Sequence, residues 1–511
     1  MAASQIKDFY KGKNIFLTGG SGFVGVCLIE KLIRCTEVNK IYLLLRPKKG
    51  KAASERLDEL EKNSVFTELL KDKGPDCVRS RICILSGDVG EENLGLSTAD
   101  RQTIIDNVHI VFHSAATLDF EANLRTTVTI NLLGTRRIVQ LCKQIRHLEA
   151  LLHVSSAYVN SHMLSPEEKI YPIPRDADEV ISLVQSSTDE ELDLKTPSTL
   201  GEFLNTYTFT KALAEREVVS SISSFPSTIV RPSQIIAAWK EPVPGWTISK
   251  NGPQGFLMGA LKGVVRRLPV DRSVIADYIP VDIVINGMIV GAWHAATTKP
   301  SETPIFHLTS STCNPFQWHN LASVMDSLMH RYPLKGAVWY PTLKLHPSLF
   351  MFRLSALIFH WIPAYILDTV ARVTGGRPIL VRMHTNIGRS LVRLEPFIFT
   401  EWKFDNKRTM VLYDSLSDND KKLFDLDIRP MVWIDFFDKM ALGVRTYLHN
   451  ENPSSLPAGR KKDKVLKLLN YLIQSVFILL LWTAVTAVSG TTYSGTMFTV
   501  LPSLIVALSV L

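Results

Sequence analysis

The chain has 511 residues, of which 46% are hydrophobic and 21% are charged. This length predicts two or three compact units, and the composition is that of a globular protein and excludes extensive disorder. The formal net charge of +8 is spread along the chain and forms no basic helix with interleaved aromatic residues, which argues against a nucleic-acid partner. The six cysteines form no Cys-x-x-Cys pair and no regular spacing with histidine, so neither a disulfide framework nor a metal site is expected.

The first 231 residues alternate short apolar runs with longer helical patterns. Such alternation predicts an α/β fold with a doubly wound parallel sheet. The predicted strands are residues 14–18, 41–45, 82–86, 109–114, 151–155 and 227–231. Proline and glycine cluster after residue 239, which favours a substrate-facing lobe, and the pattern from residue 334 onward is mainly helical. We therefore expect one unit over 10–333 and a second over 334–449.

A glycine-rich loop follows the first predicted strand and opens a helical pattern. Backbone without side chains lets a pyrophosphate approach closely, and the amides and dipole at the start of the helix stabilise its charge. This context favours a dinucleotide site over the alternative of a simple tight turn. The residues expected to bind the dinucleotide here are Thr18, Gly19, Gly20, Ser21, Gly22, Phe23, Val24 and Gly25.

Arg46 follows the second predicted strand, where a sheet of this kind often carries an acid that binds the ribose 2′-hydroxyl of NAD. With Lys48 and Lys49 nearby, Arg46 could instead hold the 2′-phosphate of NADP, so NADPH is the predicted cofactor. Ordinary surface charge is the alternative. Asp88, after the third strand, could bond the adenine or simply end the strand.

Small and polar residues follow the fourth and fifth strands, where ligands collect in doubly wound sheets. Ala115 lies in a run of small residues that leaves room beside a cofactor, while His113 is expected to be a structural hydrogen-bonding group. Ser155 and Ser156 end the fifth strand, where a hydroxyl could donate to a substrate carbonyl or merely cap a turn. Asn131, in the following helix, could hold a water near the lysine described next or be a satisfied buried amide.

Tyr207 and Lys211 are four residues apart in a stretch, 202–223, that has a helical pattern. That spacing puts both side chains on one face, so the ammonium could lie beneath the phenol and lower its pKa. Taken alone, such a pair is more typical of a solvated helix face. Because the pair follows a glycine loop and strand-end serines, we expect Tyr207 to be the proton donor of a nicotinamide reductase. We expect the Ser156 hydroxyl to polarise the substrate carbonyl, with Ser155 as the alternative.

The end of the chain changes character. Residues 450–464 form a polar and basic linker, and residues 468–488 carry no charge. About 20 apolar residues cross the hydrocarbon core of a bilayer, so we predict a transmembrane helix within a membrane anchor over 465–511. The basic flank predicts that the chain before it stays in the cytosol.

Two further apolar runs allow more than one interpretation. Residues 497–511 could be a partial span, a re-entrant segment or the return leg of a hairpin. The run at 354–367 is only about 14 residues long and is expected to be a buried or interfacial helix.

Taken together, the glycine loop, the strand-end serines and the Tyr207-x-x-x-Lys211 pair resemble an extended short-chain dehydrogenase/reductase. A longer set of motifs resembles the alcohol-forming fatty acyl-CoA reductases, and the insect members most closely. That set comprises Val154-Ser-Ser-Ala-Tyr-Val-Asn160, Tyr207-Thr-Phe-Thr-Lys-Ala-Leu-Ala-Glu215, Arg231-Pro-Ser233, Pro244-Gly-Trp246, Asp277-Tyr-Ile-Pro-Val-Asp282, His360-Trp-Ile-Pro-Ala-Tyr-Ile-Leu-Asp368, Thr374-Gly-Gly-Arg-Pro378, Phe404-Asp-Asn406 and Trp433-Ile-Asp-Phe-Phe437.

This resemblance implies an NADPH-dependent reduction of long-chain fatty acyl-CoA to a primary alcohol and CoA, through a bound aldehyde and two hydride transfers. It also implies that Lys211 binds the nicotinamide ribose and keeps the pKa of Tyr207 low. Many relatives have threonine where this chain has Ser156, and the hydroxyl is retained. Pro232 joins the expected cofactor-binding residues. The expected membrane is that of the endoplasmic reticulum, with peroxisome and lipid droplet as alternatives.

Three other functions share part of this pattern. A membrane-bound reductase or dehydrogenase of a sterol or other hydroxy/keto lipid shares the N-terminal motifs but does not account for the C-terminal ones. An acyl-CoA reductase that stops at the aldehyde shares them all. A non-catalytic, cofactor-binding scaffold is disfavoured, since the serine, tyrosine and lysine are all present.

Overall fold

A computed structural model describes residues 4–46, 53–490, 496–498 and 500–510. The β-strands are β1 (Asn14–Thr18), β2 (Lys40–Leu45), β3 (Ile82–Ser86), β4 (Ile110–His113), β5 (Ala150–Val154), β6 (Ser227–Pro232), β7 (Gln234–Ile236), β8 (Arg267–Pro269), β9 (Ile275–Ala276), β10 (Tyr278–Pro280), β11 (Ile305–Leu308), β12 (Phe316–Gln317) and β13 (Lys344–His346).

The α-helices are α1 (Gln5–Tyr10), α2 (Phe23–Cys35), α3 (Ala53–Glu61), α4 (Thr67–Lys73), α5 (Thr98–Asn107), α6 (Leu124–Thr127), α7 (Gly134–Cys142), α8 (Ala177–Ser186), α9 (Asp189–Leu200), α10 (Thr206–Val219), α11 (Gly252–Leu261), α12 (Val281–Thr298), α13 (His319–Ala322), α14 (Met325–Arg331), α15 (Leu349–Ala356), α16 (Ile362–Val373), α17 (Leu380–Phe399), α18 (Lys407–Asp414), α19 (Asp418–Leu423), α20 (Trp433–Gly443), α21 (Leu456–Ser489) and α22 (Val500–Val510). Short π-helical turns at Val128–Leu133 and Leu357–Trp361 join α6 to α7 and α15 to α16.

The main sheet has seven parallel strands in the order β3-β2-β1-β4-β5-β6-β11. Its central strands β1 and β4 are buried along their whole length, as expected for a parallel sheet that is covered on both faces. Helices α2 and α12 pack against each other, and so do α7 and α10. The strand order reverses between β1 and β4, which is where ligands bind in sheets of this kind.

The predicted fold class is confirmed, and the six predicted strands are all present. Their ends differ from the prediction by at most one residue, because buried apolar runs are clear but their last hydrogen bonds are not. The seventh strand, β11, was not predicted. It has only four residues, and it lies in a region that we interpreted as turns.

The chain forms two compact units, and each is assembled from three segments. Unit 1 comprises Met1–Ile248, Ile275–Phe316 and Glu401–Val432, and unit 2 comprises Ser249–Val274, Gln317–Thr400 and Trp433–Leu511. These units do not follow the linear boundaries predicted at residues 333 and 449. The physical reason is pairing between distant segments: in unit 2, β8 pairs with β13, and in unit 1 the indole of Trp402 donates to the carbonyl of Ser161.

The segment predicted as a linker, 450–464, is largely helical. A 3₁₀ turn at Pro453–Ser455 leads directly into α21. The first part of α21 packs within unit 2, since Asp463 lies 3.0 Å from the ring of His330 and Asn470 accepts a hydrogen bond from the indole of Trp339. The predicted span 468–488 lies within this helix.

Two helices among the described residues are long and apolar enough to cross a membrane by length and composition, Leu349–Val373 and Pro453–Ser489. Helix α22 lies against α21, and Thr496, just before it, accepts a hydrogen bond from the indole of Trp482. This arrangement favours the return leg of a hairpin among the three interpretations of the last apolar run. Residues 499 and 511 of that run lie outside the described residues.

Candidate active site

The glycine loop joins β1 to α2 and depends on the absence of side chains. Gly19 has a φ of +75°, and a Cβ there would come within 2.8 Å of the backbone nitrogen of Ala115. A Cβ on Gly25 would overlap the backbone of Gly19 and Gly20. By contrast, a Cβ on Gly22 would meet only the carbonyl of Gly19, at 3.2 Å, so the loop is open on that side.

This open cradle fits the pyrophosphate of a dinucleotide. Gly22 is the N-cap of α2, and the first turn of the 13-residue helix contains no acidic residue. The amides and the positive end of the helix dipole therefore face an anion without a competing carboxylate. Thr18 supports the loop from below, because its hydroxyl accepts a hydrogen bond from the amide of Ala115 at 3.2 Å.

Tyr207 and Lys211 lie in the first two turns of α10, at the carboxyl edge of the sheet. Asn205 caps this helix, since its side chain accepts a hydrogen bond from the amide of Thr208 at 2.9 Å. Both Tyr207 and Lys211 are buried, and the ring of Tyr207 packs against Phe120 at 5.4 Å between centroids. The pair is thus held inside the protein and is not part of a solvated helix face.

Ser156 lies next to the phenol of Tyr207. Burial raises the pKa of Tyr207 to about 12, and the neighbouring Ser156 hydroxyl opposes that rise. Tyr207 is therefore protonated at neutral pH. Ser156 also caps the 3₁₀ turn Ala157–Asn160, because its oxygen accepts from the amide of Tyr158.

Lys211 differs from its expected role. Its ammonium donates to the carbonyl of Val154 at 2.6 Å and lies 3.1 Å from Nε2 of His153. Burial lowers the pKa of Lys211 to about 7. The sequence predicts that Lys211 lowers the pKa of Tyr207, but burial dominates that pKa and Lys211 is not among the groups that shift it.

Ser155 and Ser156 are adjacent but have different surroundings. The backbone amide of Ser155 donates to the carbonyl of Val230, which continues the pairing of β5 with β6. Its hydroxyl is buried and has no hydrogen-bond partner among the described residues. The Ser156 hydroxyl lies beside the Tyr207 phenol, which favours Ser156 as the polarising hydroxyl.

The other predicted cofactor-binding residues lie along the same edge of the sheet. Ala115 and Pro232 follow or end β4 and β6. Arg46 is exposed after β2, whereas Lys48 and Lys49 lie outside the described residues. The carboxylate of Asp88 accepts from the amide of Gly90 at 2.9 Å, so it shapes the turn after β3.

Asn131 proves to be a satisfied buried amide. It donates to the hydroxyl of Thr210 at 3.1 Å and accepts from the backbone amide of Thr117 at 3.0 Å. The structure thus favours the second of its two predicted roles, a link between the helix after β4 and α10.

Two buried polar groups were missed by sequence analysis. His153 is paired in register with His113 across β5 and β4, and it lies directly beneath Lys211. The signal that could have revealed it is a histidine near the end of each of two neighbouring strands. The second group is the ion pair of Arg231 with Glu215, which is fully buried with 2.6 Å between nitrogen and oxygen and joins β6 to α10.

Both histidines are neutral. Burial lowers the pKa of His113 to about 3, and burial together with Lys211 lowers the pKa of His153 well below its usual value. His113 has the structural role that the sequence predicts, because its ring bonds the hydroxyls of Thr18 and Thr135 at 2.8 and 3.0 Å. Within the described part of the chain, no group of three or more histidine, cysteine or acidic side chains is arranged to hold a metal ion.

Comparison with known proteins places this site in a family. Residues 17–288 match an NAD-binding family model described as male sterility protein, and residues 359–451 match a second model with the same description. The chain is 53% identical over 484 residues to a Drosophila melanogaster protein that carries the name fatty acyl-CoA reductase CG8306, covering 93% of this chain and 94% of that protein. The chain belongs to the fatty acyl-CoA reductase family. It is an oxidoreductase with a nicotinamide dinucleotide-binding domain, as the sequence predicts.

More distant members of the family match over the same length. The chain is 34% identical over 479 residues to Homo sapiens fatty acyl-CoA reductase 1, covering 94% of this chain and 93% of that protein. Among solved structures, it resembles the reductase domain of a nonribosomal peptide synthetase from Mycobacterium tuberculosis with a TM-score of 0.55 at 16% identity, covering 85% of this chain and 92% of the other. The likeness to that domain shows a shared fold.

Proposed function

We propose that this protein reduces long-chain fatty acyl-CoA to a primary fatty alcohol and free CoA, with NADPH as the reductant. The observation that carries the proposal is the contact of the Ser156 hydroxyl with the Tyr207 phenol at the carboxyl edge of the sheet, beside an open glycine cradle. Family membership supports the substrate class, since the relatives are named for fatty acyl-CoA.

The balanced reaction takes one acyl-CoA, two NADPH and two protons to one alcohol, one CoA and two NADP⁺. NADPH supplies the hydride when bound. The Ser156 hydroxyl donates a hydrogen bond to the carbonyl oxygen of the thioester, and Tyr207 gives its proton to that oxygen as it gains charge. The first reduction gives a hemithioacetal, which loses CoA as the thiol and leaves the aldehyde. In the second reduction, Ser156 and Tyr207 play the same two roles toward the carbonyl oxygen of the aldehyde.

Lys211 supports the proton donor from beneath. Its ammonium ties α10 to the end of β5 through the carbonyl of Val154, which holds Tyr207 in place, and its pKa of about 7 leaves it partly charged at neutral pH. His153 is neutral and accepts a hydrogen bond from the ammonium of Lys211. It therefore positions Lys211 without adding a second positive charge.

The preference for NADPH rests on Arg46. It is exposed at the end of β2, where an acidic residue would bind the 2′-hydroxyl of NAD. A guanidinium there matches the geometry and charge of a 2′-phosphate.

The protein is proposed to be anchored in a membrane by α21, with its catalytic unit in the cytosol. The 34-residue helix is about 50 Å long, which exceeds the thickness of a bilayer core. Arg460, Lys461, Lys462 and Lys464 precede the apolar part, and a basic flank of this kind favours the cytosolic side of the membrane. Each buried methylene contributes about 0.8 kcal/mol, so long acyl substrates and alcohols partition into lipid.

The test is product analysis of the purified full-length chain in proteoliposomes. With NADPH and palmitoyl-CoA, the proposal predicts fatty alcohol together with free thiol, and neither product from the Tyr207→Phe variant. Oxidation of NADPH with a sterol ketone, in the absence of activity toward palmitoyl-CoA, would replace the proposal with that of a hydroxy/keto lipid reductase.

A further inference from the structure

The helix Leu349–Val373 in unit 2 has an inverted distribution of polarity. In the middle of this helix every fourth residue is buried, and these buried residues include His360 and Asp368. Asp368 accepts hydrogen bonds from the amides of Leu380 and Val381 at 3.0 and 2.9 Å, so it caps the start of α17. His360 and Asp368 therefore lie on the side of this helix that faces the protein.

The opposite side of the same helix is apolar and exposed. In water, a helix presents the reverse pattern, with its apolar stripe inward and its polar residues outward. A contiguous apolar surface of this kind marks an interaction site. The side chains that form it include Phe350, Leu357, Tyr365, Ile366, Val370 and Val373.

This helix is nevertheless fastened to a strand at its centre. Nε2 of His360 accepts hydrogen bonds from the backbone amides of Arg266 and Arg267, at 3.0 and 3.1 Å. The guanidinium of Arg267 lies over the ring of Phe359 at 3.9 Å and donates to the hydroxyl of Ser355. If the helix crossed a bilayer, its centre would bring two arginines and the short strand β8 to the middle of the hydrocarbon. Open sheet edges and charged side chains are costly in that layer, so the contacts argue against a span.

Arginine is the predominant charged residue of this region. Residues 349–399 contain six arginines and no lysine, against the two acids Asp368 and Glu395, and Asp368 is consumed in capping α17. Arg353 and Arg372 lie near the two ends of the helix, and both are exposed. An apolar face with cations at its border is the pattern of a helix that lies in the headgroup layer of an anionic membrane.

We propose that the exposed face of Leu349–Val373 docks flat on a bilayer that contains anionic phospholipid. The apolar side chains enter the boundary between headgroups and acyl chains, and the arginines pair with lipid phosphates. This surface acts in addition to α21 and does not depend on which reaction the enzyme catalyses.

The test measures depth in the membrane at three positions along the helix. A genetically encoded fluorescent amino acid replaces Phe350, Tyr365 or Val373 in the full-length chain, and vesicles of phosphatidylcholine and phosphatidylserine are purified by flotation. Quenching is then compared for lipids brominated near the headgroup and near the chain end. The matched control replaces Leu194 in unit 1, which is 83% exposed where Val373 is 82% exposed.

The proposal predicts similar quenching at all three positions, stronger with bromine near the headgroup, and none at residue 194. A gradient, with Tyr365 deepest, would overturn docking in favour of a transmembrane span. If the chain floats with the vesicles but quenching at the three positions is no greater than at residue 194, docking is overturned and the α21 anchor is retained. A chain that fails to float would overturn both.

Charge reversal tests the role of the arginines separately. Arg353→Glu with Arg372→Glu should lose most of the quenching at Val373 in vesicles that contain phosphatidylserine. The control Lys195→Glu with Lys299→Glu makes the same change in net charge on exposed residues elsewhere and should leave quenching unchanged. An equal loss in the control would contradict specific pairing with lipid phosphates.

Discussion

The ammonium of Lys211 donates a hydrogen bond to the carbonyl oxygen of Val154, with 2.6 Å between the two atoms. This bond ties α10 to the carboxyl end of β5, the strand that leads to Ser155 and Ser156. The helix that carries the phenol and the strand that leads to the partner hydroxyl are thus held in one arrangement.

Replacing Tyr207 with phenylalanine should remove the proton donor and leave the cofactor site intact. We expect turnover to fall by roughly 10²- to 10⁴-fold, the usual contribution of general acid catalysis, while the Kd for NADPH changes little. NADPH fluorescence titration and alcohol formation measure the two effects. Tyr171→Phe is the control, because its hydroxyl accepts a hydrogen bond from the backbone amide of Glu167. Full activity in Tyr207→Phe would refute the assignment.

The two serines should differ sharply when each is changed to alanine. Ser156→Ala removes the hydroxyl next to Tyr207 and is expected to lower kcat by about 10²- to 10³-fold, as for the loss of one oxyanion donor. Ser155→Ala removes a buried hydroxyl that has no partner among the described residues, so kcat should be nearly unchanged. The reverse order would assign the polarising role to Ser155.

The rate of reduction should fall as pH rises through about 7. Lys211 has a lowered pKa of about 7, so its ammonium is charged below that pH and lost above it, whereas Tyr207 stays protonated until about 12. Because kcat/KM for NADPH reports the enzyme before cofactor binds, its logarithm should break downward near pH 7. A flat profile from pH 6 to 9, roughly the range in which Lys211 changes charge, would contradict a role for that charge.

The position of this break should depend on His153. His153→Phe deprives the ammonium of one acceptor, so the pKa of Lys211 falls further and the break moves to lower pH. The control is His147→Phe, an exposed histidine, for which we expect no shift. An unchanged break in His153→Phe would show that the histidine only fills space.

Arg46→Glu should reverse the preference between the two nicotinamide cofactors. A hydrogen bond to a charged phosphate contributes about 1.5–3 kcal/mol, so KM for NADPH should rise roughly ten- to hundredfold while KM for NADH falls. Steady-state kinetics with both cofactors measure the change. Arg101→Glu, at a half-buried arginine on α5, serves as the control.

Sequence patterns predicted the sheet well because parallel strands buried on both faces are continuous apolar runs between turn residues. They missed β11, whose four residues are too short for such a run. They also misplaced the unit boundaries, since those depend on pairing between segments far apart in the chain. Strands β8 and β13 pair although they are about 75 residues apart in the chain, and no local sequence pattern indicates a partner so distant.

The candidate site was predicted in its residue types but not in its hydrogen bonds. The spacing of Tyr207 and Lys211 correctly placed both on one helix, but it did not reveal that the ammonium bonds β5. Nor did it reveal that burial raises the pKa of Tyr207, since spacing along a helix carries no information about the dielectric around it. The sequence left two roles open for Asn131, and its hydrogen bonds with Thr117 and Thr210 distinguish between them.

The stoichiometry of a single assay tests the central claim most directly. Purified full-length protein is given limiting palmitoyl-CoA and excess NADPH, and NADPH oxidation, free thiol, alcohol and trapped aldehyde are quantified together. Full reduction to the alcohol predicts two NADPH oxidised for each thiol and each alcohol, with no aldehyde accumulating. One NADPH for each thiol, with aldehyde as the product, would contradict full reduction, and NADPH oxidation without thiol would contradict an acyl-CoA substrate.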